Sequence, residues 1–370
     1  MLETPSAAGP RILEIGFSPY LYAAFPRTTD FYSTWSDERS SDRTCGRHIV
    51  TLGSLPGLAR RLADPTYDIV AVHALPYSSW SPRALSRTLF RRSVLRGSLP
   101  IFRAMGQQLL RGKVHAPIAV LDFDDAAVID RANAFLLDRA TVYFKRELPP
   151  DHWQAFTGTF HWRVPTSRFR DSPPNRERTA KLAPIALGIE IGAEQQPTAR
   201  PVSASEKTAD VFFAGKVRNS STVRERGILE LDALRGKGYI IDVPTEPISK
   251  EEYFARCARS WIVWSPEGYG WQCFRTWEAA LCGSVPLMNN PTIEQHRPLI
   301  EGEHTLYYPV EPGGLTQAVT SALANKDRLS AMGAVARSFV LTHHTRQALA
   351  RHIVETTLLQ RSRQYSPSGT

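Results

Sequence analysis

Cysteine is scarce in this sequence: Cys45, Cys257, Cys273 and Cys282 are the only four in a chain of 370 residues. They form no C-x-x-C pair and lack the paired spacing of a zinc site, and four are too few to frame so long a chain with disulfides. A reducing, cytoplasmic setting is therefore expected. Long apolar runs are missing too. None approaches the roughly 18–20 residues that a membrane-spanning helix needs, which leaves only peripheral contact with a bilayer. The opening residues, MLETPSAAGP, carry an acid and a proline where a secretory leader has a basic start and an apolar stretch, so export is not expected. Acidic residues are in deficit, 36 Asp plus Glu against 45 Lys plus Arg, for a net charge of +9. That balance favours an anionic partner, whether a phosphate-bearing ligand, an acidic membrane or nucleic acid, without choosing among them.

What is present is enough for two ordinary domains, since 42% of residues are hydrophobic and 22% charged. Short apolar runs at 11–17 (RILEIGF), 67–72 (YDIVAV), 117–123 (PIAVLDF) and 141–144 (TVYF) predict buried strands. Helical spacing between them, at 58–63 and 125–137, completes the alternation that a parallel sheet with crossover helices requires. From 188 to 208 the sequence turns to Pro, Ala, Ser, Gln and Glu without an apolar period and predicts a linker. Beyond it, strands are expected at 210–214, 239–243, 261–264, 285–288 and 305–308. Helices are expected over 221–235, from a capping box at Ser249 and Glu252, over 274–282 with Gly283 as its left-handed stop, and over 315–323. The stretch 328–359 predicts further helix with a break at His343 and His344. These two histidines suit a helix end or core better than a metal, because no third ligand stands nearby at a suitable spacing. The fold class expected is α/β, two Rossmann-like domains facing across a cleft, with boundaries at 1–195, 206–345 and 346–370. The last segment is read as a helix able to return to the first domain. Ligands of such sheets sit at the carboxyl ends of the strands, so loops that follow strands matter most.

The most informative stretch is 265–287, SPEGYGWQCFRTWEAALCGSVPL. A glycine loop with Gly268 and Gly270 leads into a helix that carries Arg275 and Glu278 three residues apart, on one face. Glycines admit a ligand close to backbone amides, a helix start favours anions, and a guanidinium clamps phosphate oxygens with paired hydrogen bonds. A carboxylate one turn further on can accept from sugar hydroxyls. An isolated R-x-x-E is more often a surface ion pair. Here the helix lies between two apolar strands and should be buried, which favours a binding role. A second cluster, FAGKVRNSSTVRER at 213–226, places Gly215, Lys216 and Arg218 after a strand and before a helix. Those two cations could equally be solvated loop charges.

These stretches, EGYG followed by RTWEAALCGSVPL, resemble the nucleotide-sugar domain of GT-B fold glycosyltransferases, particularly the exostosin-like and spore-maturation-protein-like branches. The resemblance covers about 205–345 well and the first half in architecture only. It implies transfer of a hexosyl or related sugar from a nucleotide-sugar donor to an acceptor hydroxyl. Glu278 would hold the ribose, and Arg275, Lys216 and Arg218 the diphosphate. No cofactor or metal is expected. Tyr269 and Trp271, in the glycine loop, could stack on the base or sugar or pack against the following helix. Retaining members of the family carry two Glu separated by seven residues, whereas ten separate Glu267 from Glu278, so the first Glu's role is not carried over.

A DFDD sequence at 122–125 could hold a divalent cation between phosphates, as in GT-A enzymes, but Asp124 or Asp125 also suits the N-cap of a helix beginning at Ala126. An inverting transfer needs a base near the acceptor hydroxyl, and Asp122, Asp124 and His73 are candidates that the sequence does not separate. The stretch 83–113 holds Arg83, Arg87, Arg91, Arg92, Arg96, Arg103 and Arg111 among apolar residues, a surface suited to an anionic acceptor or to lipid headgroups. A glycan, a glycolipid or another hydroxyl-bearing molecule is the expected acceptor, and nucleic acid is not expected. Two other readings remain: an epimerase or phosphorylase on the same fold, and a non-catalytic basic protein that binds membrane or nucleic acid.

Overall fold

Runs of four or five apolar residues, too short for helices, become the inner strands of two parallel sheets. The computed structural model describes residues 9–34, 46–75, 100–156, 158–161, 164–166, 173–189 and 200–365. The chain divides into two compact units, 1–185 together with 350–370, and 186–349.

In the first unit the strands are β1 (Ile12–Gly16), β2 (Thr29–Ser33), β3 (Arg47–Ile49), β4 (Ile69–His73), β5 (Ile118–Asp122) and β6 (Val142–Lys145). An antiparallel hairpin, β7 (Gly158–His161) and β8 (Val164–Thr166), precedes β9 (Leu182–Pro184). The large sheet runs β3-β2-β1-β4-β5-β6-β9, with every pair parallel. All residues of β1, β4 and β5 are buried, as expected of inner strands covered on both faces. The helix Arg346–Tyr365 has buried Ala350, Ile353 and Val354, and its His352 meets Phe144 of β6 edge-on.

In the second unit β10 (Ala209–Phe212), β11 (Ile241–Asp242), β12 (Ser260–Trp264), β13 (Val285–Asn289) and β14 (Leu306–Tyr308) form a sheet in the order β11-β10-β12-β13-β14, again all parallel. The helix Thr222–Arg235 follows β10, Lys250–Ala258 follows β11, and Phe274–Leu281 follows β12. The last of these ends in a Schellman motif. Gly283, at φ +71°, donates to the Ala280 carbonyl and Ser284 to that of Ala279, closing two orphan acceptors at a position where a Cβ would be strained.

Several expectations are corrected. No single helix fills 125–137: the α-helix there is Ala134–Arg139, preceded by a short 3-10 helix at Arg131–Asn133. Asp122 accepts from the Asp124 amide, Asp124 from Ala126 and Asp130 from Ala132, and such local bonds compete with helical ones. Asp124 therefore caps a turn rather than a helix. At Ser249 half of the capping box forms. The hydroxyl accepts from the Glu252 amide, while Glu252's carboxylate turns to Arg256, one turn on. Part of the expected linker is ordered, with a reciprocal capping box between Ser203 and Glu206. Linker residues 190–199 lie outside the described residues, as do 76–99 with Arg83, Arg87, Arg91, Arg92 and Arg96, and the side chain of Arg103. Arg111 lies 4.2 Å over the Phe135 ring and donates to Gln108. Among the described residues no helix is long and apolar enough to cross a membrane.

Candidate functional site

Strands β10 and β12 lie side by side, and the chain leaves them in opposite directions across the sheet. This is the switch point where open parallel sheets leave room for a ligand. The loop 213–221 leaves the end of β10 and the loop 265–273 leaves the end of β12. Ser221 caps the helix after the first by accepting from the Val223 amide.

Arg275 enters from the first turn of Phe274–Leu281 and is only 9% exposed. Its Nε and Nη2 donate to the Ala214 carbonyl at 3.1 and 2.6 Å, and its guanidinium carbon stands 4.7 Å from the Phe213 ring. Nη1 is buried without a partner. A Cβ on Gly215 would collide with Nη2, so glycine is what lets the guanidinium lie against this loop. With all three nitrogens accounted for, Arg275 makes no ion pair with Glu278, and the surface-pair reading of R-x-x-E is set aside.

A second guanidinium, which the sequence did not single out, joins the two loops. Arg224 donates from Nε to the Glu267 carbonyl at 2.9 Å and from Nη1 to the Lys216 carbonyl and the Ser220 hydroxyl. Its Nη2 reaches the Pro266 carbonyl and Cys273 Sγ. Burial lowers its affinity for its proton. Every acceptor is neutral, and among the described residues no carboxylate pairs with Arg224 or Arg275. The nearest counter-charges act at a distance, Glu267 on Arg224 and Glu278 on Arg275, without a direct hydrogen bond.

Around them, Lys216 donates to the Tyr269 hydroxyl at 3.0 Å, which donates on to the Asn219 carbonyl. Tyr269 is 67% exposed, and Arg218 is exposed as well. The Gly268 amide bonds the Gly270 carbonyl across the hairpin tip. Trp271 is buried, with its indole N–H on the Asn289 and Asn290 carbonyls. Asn289 also holds Glu267 through both its amide group and its carbonyl. Glu278 accepts from the Tyr253 hydroxyl at 2.8 Å, and burial raises its carboxyl above the usual range, against that hydrogen bond and the charges of Arg275 and Lys250.

The three candidate bases belong to the first unit. Asp122 is buried, accepting from Tyr143 at 2.8 Å and from Lys145 at 3.1 Å. His73 is buried with Nε2 3.1 Å from Glu14, while Nδ1 has no partner. Glu14, missed from sequence, is fully buried in β1 and accepts from the Tyr20, Leu21 and Tyr22 amides. Asp125 pairs with Arg146 at 2.5 Å.

The fold is the GT-B glycosyltransferase fold. An α-glucosyltransferase solved with UDP and a 13-mer DNA superposes with a TM-score of 0.53 at 11% identity, covering 95% of this chain and all of that one. Sucrose-phosphate synthase from Thermosynechococcus elongatus gives 0.54 at 11% identity, over 96% of this chain and all of its own. HepE from Anabaena, solved with UDP and glucose, gives 0.51 at 12%, covering 94% and 99%. Within the chain, residues 236–355 match a family described as glycosyl transferase-like, a span that contains Arg275 and Glu278. No curated protein sequence is detectably similar to the whole.

Proposed function

We propose that this protein transfers a sugar, of hexosyl or related type, from a nucleotide-sugar donor to an acceptor hydroxyl, and that its kin are the exostosin-like and spore-maturation-protein-like branches. One observation supports this above the rest: at the switch point between β10 and β12 the exposed Lys216 and Arg218 stand on the loop after β10, and Lys216 reaches Tyr269 on the glycine loop after β12. Two exposed cations beside a glycine loop and a helix start suit an anion. The diphosphate of a donor would lie against them, with Arg275 adding its charge from behind the loop and Glu278 accepting from the ribose. When the nucleoside diphosphate leaves, about one further negative charge collects on its phosphates. Arg275, Lys216, Arg218 and the helix amides are assigned to stabilise it, with no requirement for a divalent cation. A glycan, a glycolipid or another hydroxyl-bearing molecule remains the proposed acceptor. Should the transfer invert the anomeric centre, Asp122, Asp124 and His73 are the candidate bases, of which Asp124 alone is not fully buried.

Several solved relatives hold UDP, so UDP leads the panel. Thermal unfolding with UDP, GDP, ADP and dTDP tests the reading. At about 100 Kd the right nucleotide stabilises by about 2.7 kcal/mol, or about 5–10 °C for a unit of this size. The shift is expected to persist in EDTA and to vanish in Arg275→Met. Were no nucleotide to shift the transition, and were binding seen only to anionic vesicles and lost with salt, the non-catalytic alternative would replace this reading.

A further inference from the structure

The Glu278 carboxylate is presented to its surroundings in one orientation. Oε2 accepts from the Tyr253 hydroxyl, while Oε1 has no protein donor and is not among the sealed polar atoms. Tyr253 is itself fixed. It sits mid-helix in Lys250–Ala258, with its ring 5.8 Å from Phe212 at the end of β10 and 5.5 Å from Phe254. Burial pushes its hydroxyl well above the usual phenol range, so it stays a donor. A freely turning carboxylate could offer either oxygen to a ligand or fill the gap with water. This one offers a single oxygen, within one helical turn of Arg275.

We propose that Tyr253 is the positioning residue that makes this site select ribonucleoside over deoxyribonucleoside diphosphates, by occupying Oε2 and leaving Oε1 as the acceptor for a ribose hydroxyl. The proposal rests on the nucleotide-sugar reading above and names a residue and a selectivity that the reading does not contain. Discrimination follows from what a missing hydroxyl leaves behind. With the carboxylate held, a deoxynucleotide covers Oε1 without bonding it, and an uncompensated charged acceptor is worth about 10- to 100-fold in affinity. Once the carboxylate is released, it can turn toward solvent and the penalty disperses.

Calorimetric titration of the full chain with UDP, GDP and ADP, and with the 2′-deoxy and 3′-deoxy forms of whichever binds, tests this. Wild type should prefer the ribonucleotide over at least one deoxy form by about tenfold or more. Tyr253→Phe keeps the ring packing and removes only the hydroxyl. It should weaken the ribonucleotide, leave the deoxy form nearly unchanged and reduce the ratio to about threefold or less. A merely structural role would weaken both forms together and leave the ratio intact. The proposal is overturned if wild type shows no preference, or if the preference survives in Tyr253→Phe while Glu278→Gln abolishes it, since Glu278 would then read the ribose unaided. Absence of binding by any nucleotide would instead remove the donor reading itself.

Discussion

The Arg224 guanidinium occupies the space where a side chain on Gly268 would begin: a Cβ there would stand 2.6 Å from Nη2. Glycine at 268 and arginine at 224 are thus two halves of one fastening between the loops after β10 and β12.

Replacing either half should loosen the proposed nucleotide site. Gly268→Ala forces the guanidinium aside. Arg224→Lys keeps the charge but cannot fan across the carbonyls of Lys216, Pro266 and Glu267, which need a planar fork. Each variant is expected to lose about tenfold or more in nucleotide affinity and about 2 kcal/mol in stability, by analogy with other broken buried networks. Calorimetry and urea unfolding measure the two separately. Full affinity in Arg224→Lys would show that charge alone suffices.

Acid should destabilise the second unit through His344. Its Nε2–H donates to the Arg297 carbonyl, its ring stacks 4.1 Å from Trp277, and Nδ1 is left buried and bare. Burial pulls its pKa from 6.5 down to about 3, helped by the neighbouring His343, Arg297 and His304. Above pH 6.5 both folded and unfolded chains hold it neutral and nothing is lost. Below that the unfolded chain takes the proton and the folded one does not, so stability falls by up to about 1.4 kcal/mol per pH unit until about pH 3. His344→Phe keeps an aromatic ring on Trp277 without the titration. Its urea midpoint should start lower at pH 7.5 and decline less steeply toward pH 4 than wild type. Parallel curves would assign the acid sensitivity elsewhere.

In the first unit, Lys145 and Asp122 form a buried ion pair at 3.1 Å, with Lys145 fully buried. Lys145→Met strands a carboxylate whose remaining donors are Tyr143 and the Asp124 amide, and is expected to cost about 3–5 kcal/mol. Adding Asp122→Asn should recover part of that loss. A double-mutant cycle read by denaturant unfolding checks the pair, and strict additivity would deny that the two are coupled.

The sequence made the inner strands legible because both faces of a parallel sheet are covered: IVAVH, IAVLD, SWIVW and VPLMN have no polar alternation to confuse. It hid β2, β3 and β9, whose residues TDFYS, RHI and LAP are short, polar or proline-ended in the manner of strands near an edge. Arg275 and Glu278 stand out as candidates because their spacing and glycine loop are local signals. Arg224 was missed because VRER reads as a charged helix face, and its burial is created by a loop some 40 residues away. Glu14 did leave a trace, a lone acid inside the apolar run ILEIG, which calls for a buried partner. Tyr253 left none, since its role exists only where two crossover helices meet.

The final helix gives the chain an order of assembly. Residues 350–365 are counted with the first unit although the whole of the second intervenes. Chain made after the whole of the second unit is thus needed to complete the first, so a premature stop near residue 349 would injure a unit whose own sheet had already been synthesised.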